Sequence, residues 1–404
     1  MKQIFIKKVN INKVRHLTHI DIPVSDQRMK HLILTGKNGS GKTSLLNAIC
    51  GFLDSLTTDK KLGEAVDITE NRNGQYNATF LTIIDSKKRI VEKASQEILL
   101  EMNLALSAVY QKFQEGDFVV AYYRADRVFK ADIPEHVEKV NTKDHYSIKE
   151  TPRTVFVKYL LDMEVTESIA ASKGMQEKAE KIRLWFDEFQ KLLRKIFDDD
   201  SLQLNFDIDT FQFSIVMKDR EPFDFNTLSS GYAAILDIVV DLIIRMDKKS
   251  DKVFDFSMPG IVLIDEIETH LHMELQKNIL PFLTTLFPNV QFIVSTHSPF
   301  ILNSLENVAI YDLENRLLVE NGLSDIPYSG IVEGYFNANE LSDTLKAKYE
   351  RYKELAAQPE LSDEDMDELS GLELYLDEIP DYLALDIATE YRRLKQELRV
   401  RGDF

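Results

Sequence analysis

Gly36-Lys37-Asn38-Gly39-Ser40-Gly41-Lys42-Thr43 is the stretch from which the rest of this 404-residue chain can be read. It matches G-x-x-x-x-G-K-[ST] in full. It follows the apolar run His31-Leu32-Ile33-Leu34-Thr35, and Leu45, Leu46, Ile49 and Phe52 then share one helical face from about Thr43 to Leu53. Strand, glycine loop and helix are the context this motif requires. Gly36, Gly39 and Gly41 let backbone N–H groups converge on phosphate oxygens, with Lys37, Asn38 and Ser40 between them, and the helix opening at Thr43-Ser44 adds its positive end. Lys42 is then placed to reach the outer phosphates of ATP, and the Thr43 hydroxyl to ligate Mg2+.

A second apolar run, Ile261-Val262-Leu263-Ile264, ends in Asp265-Glu266. Such a run reads as a strand buried in a parallel sheet, which puts both carboxylates at the carboxyl edge where ligands bind. Asp265 suits Mg2+ held through water, and Glu266 suits orienting or deprotonating an attacking water. Two solvated charges at a strand end are the plainer alternative. His297 follows the strand Val290 to Ser295, where a neutral imidazole can bond a γ-phosphate or the water; a structural histidine is the alternative. Leu228-Ser229-Ser230-Gly231-Tyr232 precedes a helix of about 232–246. Ser229, Ser230 and Gly231 there form either an anion site or an ordinary helix cap.

Composition narrows the class. The chain is 44% hydrophobic and 29% charged, as expected of a soluble core. No apolar run approaches the ~18–20 residues of a membrane span, and the N-terminus is too short in its apolar part for a signal peptide. One cysteine, Cys50, excludes a disulfide framework or C-x-x-C hook and points to a reducing cytoplasm. Of the net charge of −18, residues 340–404 carry half, with 18 acidic against 9 basic residues. That balance argues against non-specific DNA coating.

The pattern divides the chain into 1–150, an N-terminal lobe with the glycine loop; 151–200, a helical insert; 201–338, a C-terminal lobe with the carboxylate strand and His297; and 339–404, an acidic helical tail. Residues 3–11 and 18–24 alternate as strands, Ala78 to Ile84 and Phe118 to Tyr123 are further strands, and Ile98 to Phe113 shows helix spacing. Residues 131–152 read as a linker or mobile loop. The insert reads as two helices broken at Gly174, and residues 202–217 as a hairpin turning at Asp209-Thr210. Asp363-Glu364-Asp365 follows Ser362 and reads as a helix start, where acids suit the dipole, rather than a metal site.

Glycine loop, signature loop, Asp-Glu strand and following His, in that order, resemble the ABC ATPase superfamily and its SMC/RecF-like branch. More narrowly, Leu228 to Tyr232, Ile264 to His272 and Phe287 to Pro299 resemble stand-alone bacterial AAA-family ATP-binding proteins of anti-phage defence and virulence islands, the PtuA-like group. The resemblance covers about 1–60 and 200–310. It implies an α/β P-loop NTPase fold: an ABC-type ATPase head with a mixed or parallel sheet, an inserted helical lobe and a C-terminal helical tail. It further implies a homodimer or higher oligomer in which the signature loop caps the γ-phosphate held by a second copy, and catalytic roles for Lys42, Glu266 and His297. Arg15, in Val14-Arg15-His16-Leu17, matches an element that approaches the nucleotide, although a plain surface arginine remains open. Ser230 and Tyr232 depart from the usual L-S-G-G-Q. Gln75 lacks the strand that should precede a glutamine loop, so Arg124 or Arg127 stands in that place.

Two functions stay open. One is an ATP-gated switch for a protein effector, a nuclease, in phage defence. The other is a RecF/SMC-like ATPase that binds DNA in repair or maintenance, with Lys7, Lys8, Lys13, Arg15 and Lys87-Lys88-Arg89 as a candidate basic strip.

Overall fold

The alternation at the start of the chain produces β1 (Ile6–Val14) and β2 (Leu17–Pro23), an antiparallel pair with Val14 opposite Leu17 and Arg15-His16 as the turn. β3 (His31–Thr35) is buried at every position and feeds the glycine loop. α1 (Lys42–Thr58) follows and runs past the expected end at Leu53, because Leu56 and Thr57 continue its buried face. The computed structural model describes residues 3–62, 96–250, 254–331, 343–358, 361–377 and 385–401. The strand expected over Ala78 to Ile84 lies outside them, as do Gln75 and Lys87-Lys88-Arg89.

The helical spacing over Ile98 to Phe113 is divided in the structure. Ile98–Met102 is a strand, β4, paired antiparallel with β1, and only α2 (Leu106–Gln114) is helical. Ile98 and Leu100 enter the core at period two, and Leu99 and Met102 supply the extra apolar positions that mimic a helix. β5 (Val119–Tyr123) comes next. The insert forms α3 (Phe156–Ser172) and α4 (Gln176–Phe197), broken at Gly174 with φ +74°. β6 (Gln203–Asp207) and β7 (Gln212–Val216) make the hairpin. Its turn is residues 208–211 rather than Asp209-Thr210 alone: Asp207 faces Gln212 and accepts the amides of Asp209 and Thr210. α5 (Ser230–Ser250), β8 (Gly260–Ile264), α6 (Met273–Leu286), β9 (Val290–Ser295), α7 (Pro299–Leu302), β10 (Val308–Asp312) and β11 (Leu317–Val319) complete the first of two units, Met1–Ile326.

The main sheet runs β11-β10-β3-β9-β8-β5, all parallel except the edge strand β11; β2-β1-β4 form a separate antiparallel sheet. α1 is packed in the core that joins the two. Leu45, Leu46, Ile49 and Leu53 share one cluster with Val9 and Ile11 of β1, Leu32 and Leu34 of β3, and Ile261 and Leu263 of β8. The fold is therefore α/β, with a glycine loop between β3 and α1 and a mixed main sheet.

α5 carries buried charge among its apolar residues. Asp241 accepts from Arg245 Nε at 2.6 Å and from the Tyr123 hydroxyl at 2.8 Å. Arg245 also donates to the carbonyls of Val120, Tyr146, Ser147 and Glu150. The stretch expected as a linker or mobile loop, 131–152, is irregular in backbone but stitched by these bonds to α5 and β5.

The second unit, Pro327–Phe404, contains α8 (Asp343–Ala356), α9 (Asp363–Asp377) and α10 (Leu385–Arg401) around Tyr352, Leu355, Leu369 and Leu398. Ser362 and Asp365 cap α9 reciprocally: the Ser362 amide donates to Asp365 at 3.1 Å and the Asp365 amide to the Ser362 hydroxyl at 3.2 Å. Among the described residues no helix is long and apolar enough to cross a membrane.

His31 opens β3 at 5% exposure, and its Nδ1 accepts the Phe292 amide at 3.1 Å. Burial pushes its pKa down to about 4 from the ordinary 6.5. The unfolded chain thus binds more protons than the folded one between those values, and stability rises with pH across that window. Acidifying from pH 6.5 to 4 should remove on the order of 3 kcal/mol through this group. Urea titrations of the parent and of His31→Gln, across that range, check this. A slope that His31→Gln leaves unchanged would sink it.

Candidate functional site

Three neighbouring parallel strands end side by side: β3 in the glycine loop, β8 in Asp265-Glu266, and β9 between them in Thr296-His297-Ser298. The glycine loop is preformed. Gly36 (φ +122°) has no room for a side chain, since a Cβ would lie 3.0 Å from Ser40 Oγ and 3.2 Å from the Glu314 amide. Gly41 (φ +102°) lies under the β1–β2 turn, where a Cβ would meet Leu17 Cδ1 at 2.9 Å. α1 begins without a side-chain cap or an acidic residue in its first turn, so its leading amides stay available to an anion. Lys37 is pinned outward, its Nζ 2.9 Å from Glu314. Asn38 and Gly39 are exposed, Thr43 is exposed and Ser44 is half-buried.

Lys42 is 6% exposed, and its Nζ donates to the carbonyls of Gly36 at 2.7 Å and Lys37 at 3.2 Å. Burial lowers its pKa, while the nearby Glu266, Glu268, Asp265 and Asp312 oppose that shift. The ammonium is thus held on its own loop's carbonyls and near four carboxylates.

Across from it, Ser295 joins the two carboxylate residues. Its hydroxyl donates to Asp265 Oδ1 at 2.5 Å and accepts the Glu266 amide at 2.8 Å. Asp265 is 3% exposed. Glu266 has φ +44°, in the left-handed region. His297 donates its amide to Glu268 Oε1 at 2.5 Å. Burial first, and Lys42 second, lower the His297 pKa, so the imidazole is neutral at pH 7 and able to accept or donate one hydrogen bond. Buried polar atoms of this region without a hydrogen-bond partner among the described residues include Thr35 Oγ1, Ser40 Oγ, Arg127 Nε, Glu268 Oε2 and His297 Nε2. Buried polar groups are normally satisfied, so they mark where a polar ligand belongs. Hard oxygen donors from Thr43 and Asp265, beside a phosphate cradle, fit Mg2+ held with a nucleotide.

Ser229 and Ser230 are exposed at the start of α5. Among the described residues no hydrogen bond or ion pair joins Ser229, Ser230 or Gly231 to residues 36–44 of the same chain. Gly231 packs instead on the loop after Glu266, where a Cβ would stand 3.0 Å from the His270 carbonyl. Tyr232, the last residue of that loop, stacks on Phe197 of α4 with ring centroids 4.2 Å apart. Arg15 is exposed in the β1–β2 turn with φ +54°. Its neighbour His16 is the residue that touches the loop, with Nε2 3.1 Å from the Ser40 carbonyl.

Three residues of the site were not singled out in the sequence, His16, Ser295 and Glu268, and neither was the role of Arg127, whose guanidinium lies on the carbonyls of Asp265, Glu266 and Ile267. Their signals were faint: a second carboxylate two residues beyond Glu266, a hydroxyl ending an apolar strand, and a buried arginine after another.

A family model described as "AAA domain, putative AbiEii toxin, Type IV TA system" matches residues 124–303. The chain is similar to the "Retron Ec83 probable ATPase" of Escherichia coli, 32% identical over 162 residues, covering 39% of this chain and 30% of that protein. It is similar to the "Retron Vc95 probable ATPase" of Vibrio cholerae serotype O1 biovar El Tor, 24% identical over 355 residues, covering 69% of this chain and 68% of the other. With the Septu protein PtuA of Bacillus mycoides (strain KBAB4) it is 31% identical over 159 residues, 36% of this chain and 21% of that one. The resemblance drawn from Leu228–Tyr232, Ile264–His272 and Phe287–Pro299 thus extends to named retron and Septu proteins, while the match spans under a third of the Ec83 ATPase and of the Bacillus mycoides PtuA.

Ser295→Ala removes one donor and one acceptor from buried partners. It should cost about 1–3 kcal/mol of stability, read from urea denaturation at pH 7. An unchanged midpoint would mean that the Asp265–Ser295–Glu266 bridge is not made in solution.

Proposed function

We propose that the chain binds and hydrolyses ATP, pairs head-to-tail around it, and acts as a switch for a separate effector protein, a nuclease, in bacterial anti-phage defence. The observation that carries this is the separation of the two halves of the site. Lys42, Asp265, Glu266 and His297 gather at one sheet edge, while Ser229 and Ser230 lie exposed at the start of a 21-residue helix, unbonded to their own glycine loop. A capping loop with no phosphate of its own suits the phosphate of a partner copy.

Within one site the roles divide by chemistry. The amides of Gly36 to Ser44 bind the phosphates, and Lys42 releases its loop carbonyls to meet the β- and γ-oxygens. Thr43 and Asp265 would hold Mg2+, which supplies charge neutralisation at the phosphates when bound. Glu266 orients and deprotonates the attacking water. The neutral His297 bonds the γ-phosphate or that water through its unpartnered Nε2, and Glu268 fixes the histidine through its amide. Ser229, Ser230 and Gly231 complete the site from the partner copy, and Arg15 lies beside the loop.

Similarity to proteins named as retron ATPases and to a Septu protein supports the defence setting, and the family description supports the ATPase class. A buried lone Cys50 and dependence on ATP suit the cytoplasm. The DNA-gripping alternative gains nothing from the basic strip. Lys7 lies 3.4 Å from Asp26 and Lys8 2.9 Å from Asp21, so two of its charges are already paired.

Glu266→Gln should lower ATP turnover by at least ~100-fold, the scale of losing a general base, and accumulate an ATP-bound dimer on size exclusion. A variant that stays monomeric with ATP removes the sandwich. Affinity purification from native cells, with this variant as the trap, should bring down a nuclease; its absence removes the effector. Ser229→Arg should bind a fluorescent ATP analogue with parental affinity yet neither pair nor hydrolyse. Retained hydrolysis in that variant would end the role in trans.

A further inference from the structure

Arg127 follows β5 in an irregular loop and is only 5% exposed. Its Nη1 donates to the carbonyls of Arg124 at 3.1 Å and Asp265 at 2.9 Å. Its Nη2 donates to those of Glu266 at 3.2 Å and Ile267 at 2.9 Å. In an extended strand successive carbonyls point in alternate directions. Here three in a row converge on one guanidinium, which the chain achieves by curling through the left-handed region at Glu266. That conformation is unfavourable for a residue with a side chain and persists only where the surroundings enforce it.

We infer that Arg127 is the positioning residue that holds this curl and so aims the Glu266 carboxylate at the water. The inference rests on the reading of Glu266 as the base. Two features make arginine the residue needed. The planar fork spans carbonyls on both sides of Glu266, which the single nitrogen of a lysine cannot do. The guanidinium is also electrostatically coupled to Asp237, which is fully buried on α5, the helix that opens with Ser230. Asp237 sits against Arg153 Nε as well. The charge of that helix residue thus favours a cation at Arg127, while the hydrogen bonds that hold the turn are those to the three carbonyls.

The test compares the parent, Arg127→Lys and Arg127→Ala by three readouts: kcat, affinity for a fluorescent ATP analogue, and amide hydrogen exchange over 265–271 without nucleotide. Arg127→Ala should lower kcat ~100-fold, the scale of misplacing a reacting group by about 1 Å. Its nucleotide affinity should be unchanged, and exchange should quicken at Ile267 and Thr269 but not over 36–46. Arg127→Lys, which keeps the charge and preserves the fold if alanine does not, should recover only part of kcat. Unchanged exchange over 265–271, full recovery by lysine, or loss of nucleotide affinity in step with kcat each overturns the inference. A parent that hydrolyses no ATP defeats the proposed function instead, and the exchange data then still decide whether Arg127 holds the turn.

Discussion

β9 is the strand on which the site depends. The glycine loop is built by residues 31–43 and the carboxylates by residues 260–266, so more than two hundred residues separate the halves of the chemistry. β9 hydrogen-bonds to β3 on one side and β8 on the other, and no other strand lies between them. Its last residue, Ser295, then bonds both the Asp265 carboxylate and the Glu266 amide, and the residue after the next is His297. Register in a parallel sheet is set residue by residue, and a slip by one would turn Ser295 to the opposite face. The closeness of Lys42 to Asp265, Glu266 and Glu268, which raises the ammonium pKa against the effect of burial, follows from that register.

What could be read in advance was chemistry confined to a few consecutive residues. Gly36 to Thr43 carries its own explanation, because strand, positive-φ glycines and helix start follow one another within a dozen residues. Asp265-Glu266 was legible for the same reason, and so was the Ser362 cap. Residues whose purpose lies across the fold were not. Ile98 to Met102 fitted a helix by spacing, and only pairing with β1 made it a strand. Ser295 looked like the end of an apolar run, and Glu268 like one more acid. Arg127 could be placed only as a stand-in for a glutamine, whereas its use is to bind three carbonyls contributed from 138 to 140 positions away. His16 was overshadowed by Arg15, its neighbour in the same two-residue turn, although His16 is the one whose ring lies 3.1 Å from a carbonyl of the glycine loop.

α5 shows how the fold tolerates charge in its interior. Asp237, Asp241, Arg245 and Asp247 are each at most 5% exposed. Burial pushes Asp237 up to about 6, with Arg153 holding it back. Asp241 and Asp247 are bonded by Arg245, Tyr123, Thr142 and Tyr159. Such pairs add little net stability over apolar packing, but removing one member leaves an uncompensated buried charge. Here they bond α5 to β5 and to residues of the 141–153 segment.

The close approach of Gly231 to the His270 carbonyl has a thermodynamic consequence. In a head-to-tail pair, Gly231 belongs to one nucleotide site and His270, just beyond Glu266, to the other. A side chain at Gly231 would stand 3.0 Å from that carbonyl, so the two segments lie close enough for a shift of one to bear on the other. Occupancy of the two sites is then linked, and linkage is symmetric: whatever factor one ATP imposes on the affinity of the second, the second imposes on the first. In the proposed pair, hydrolysis at either site would therefore be felt at both.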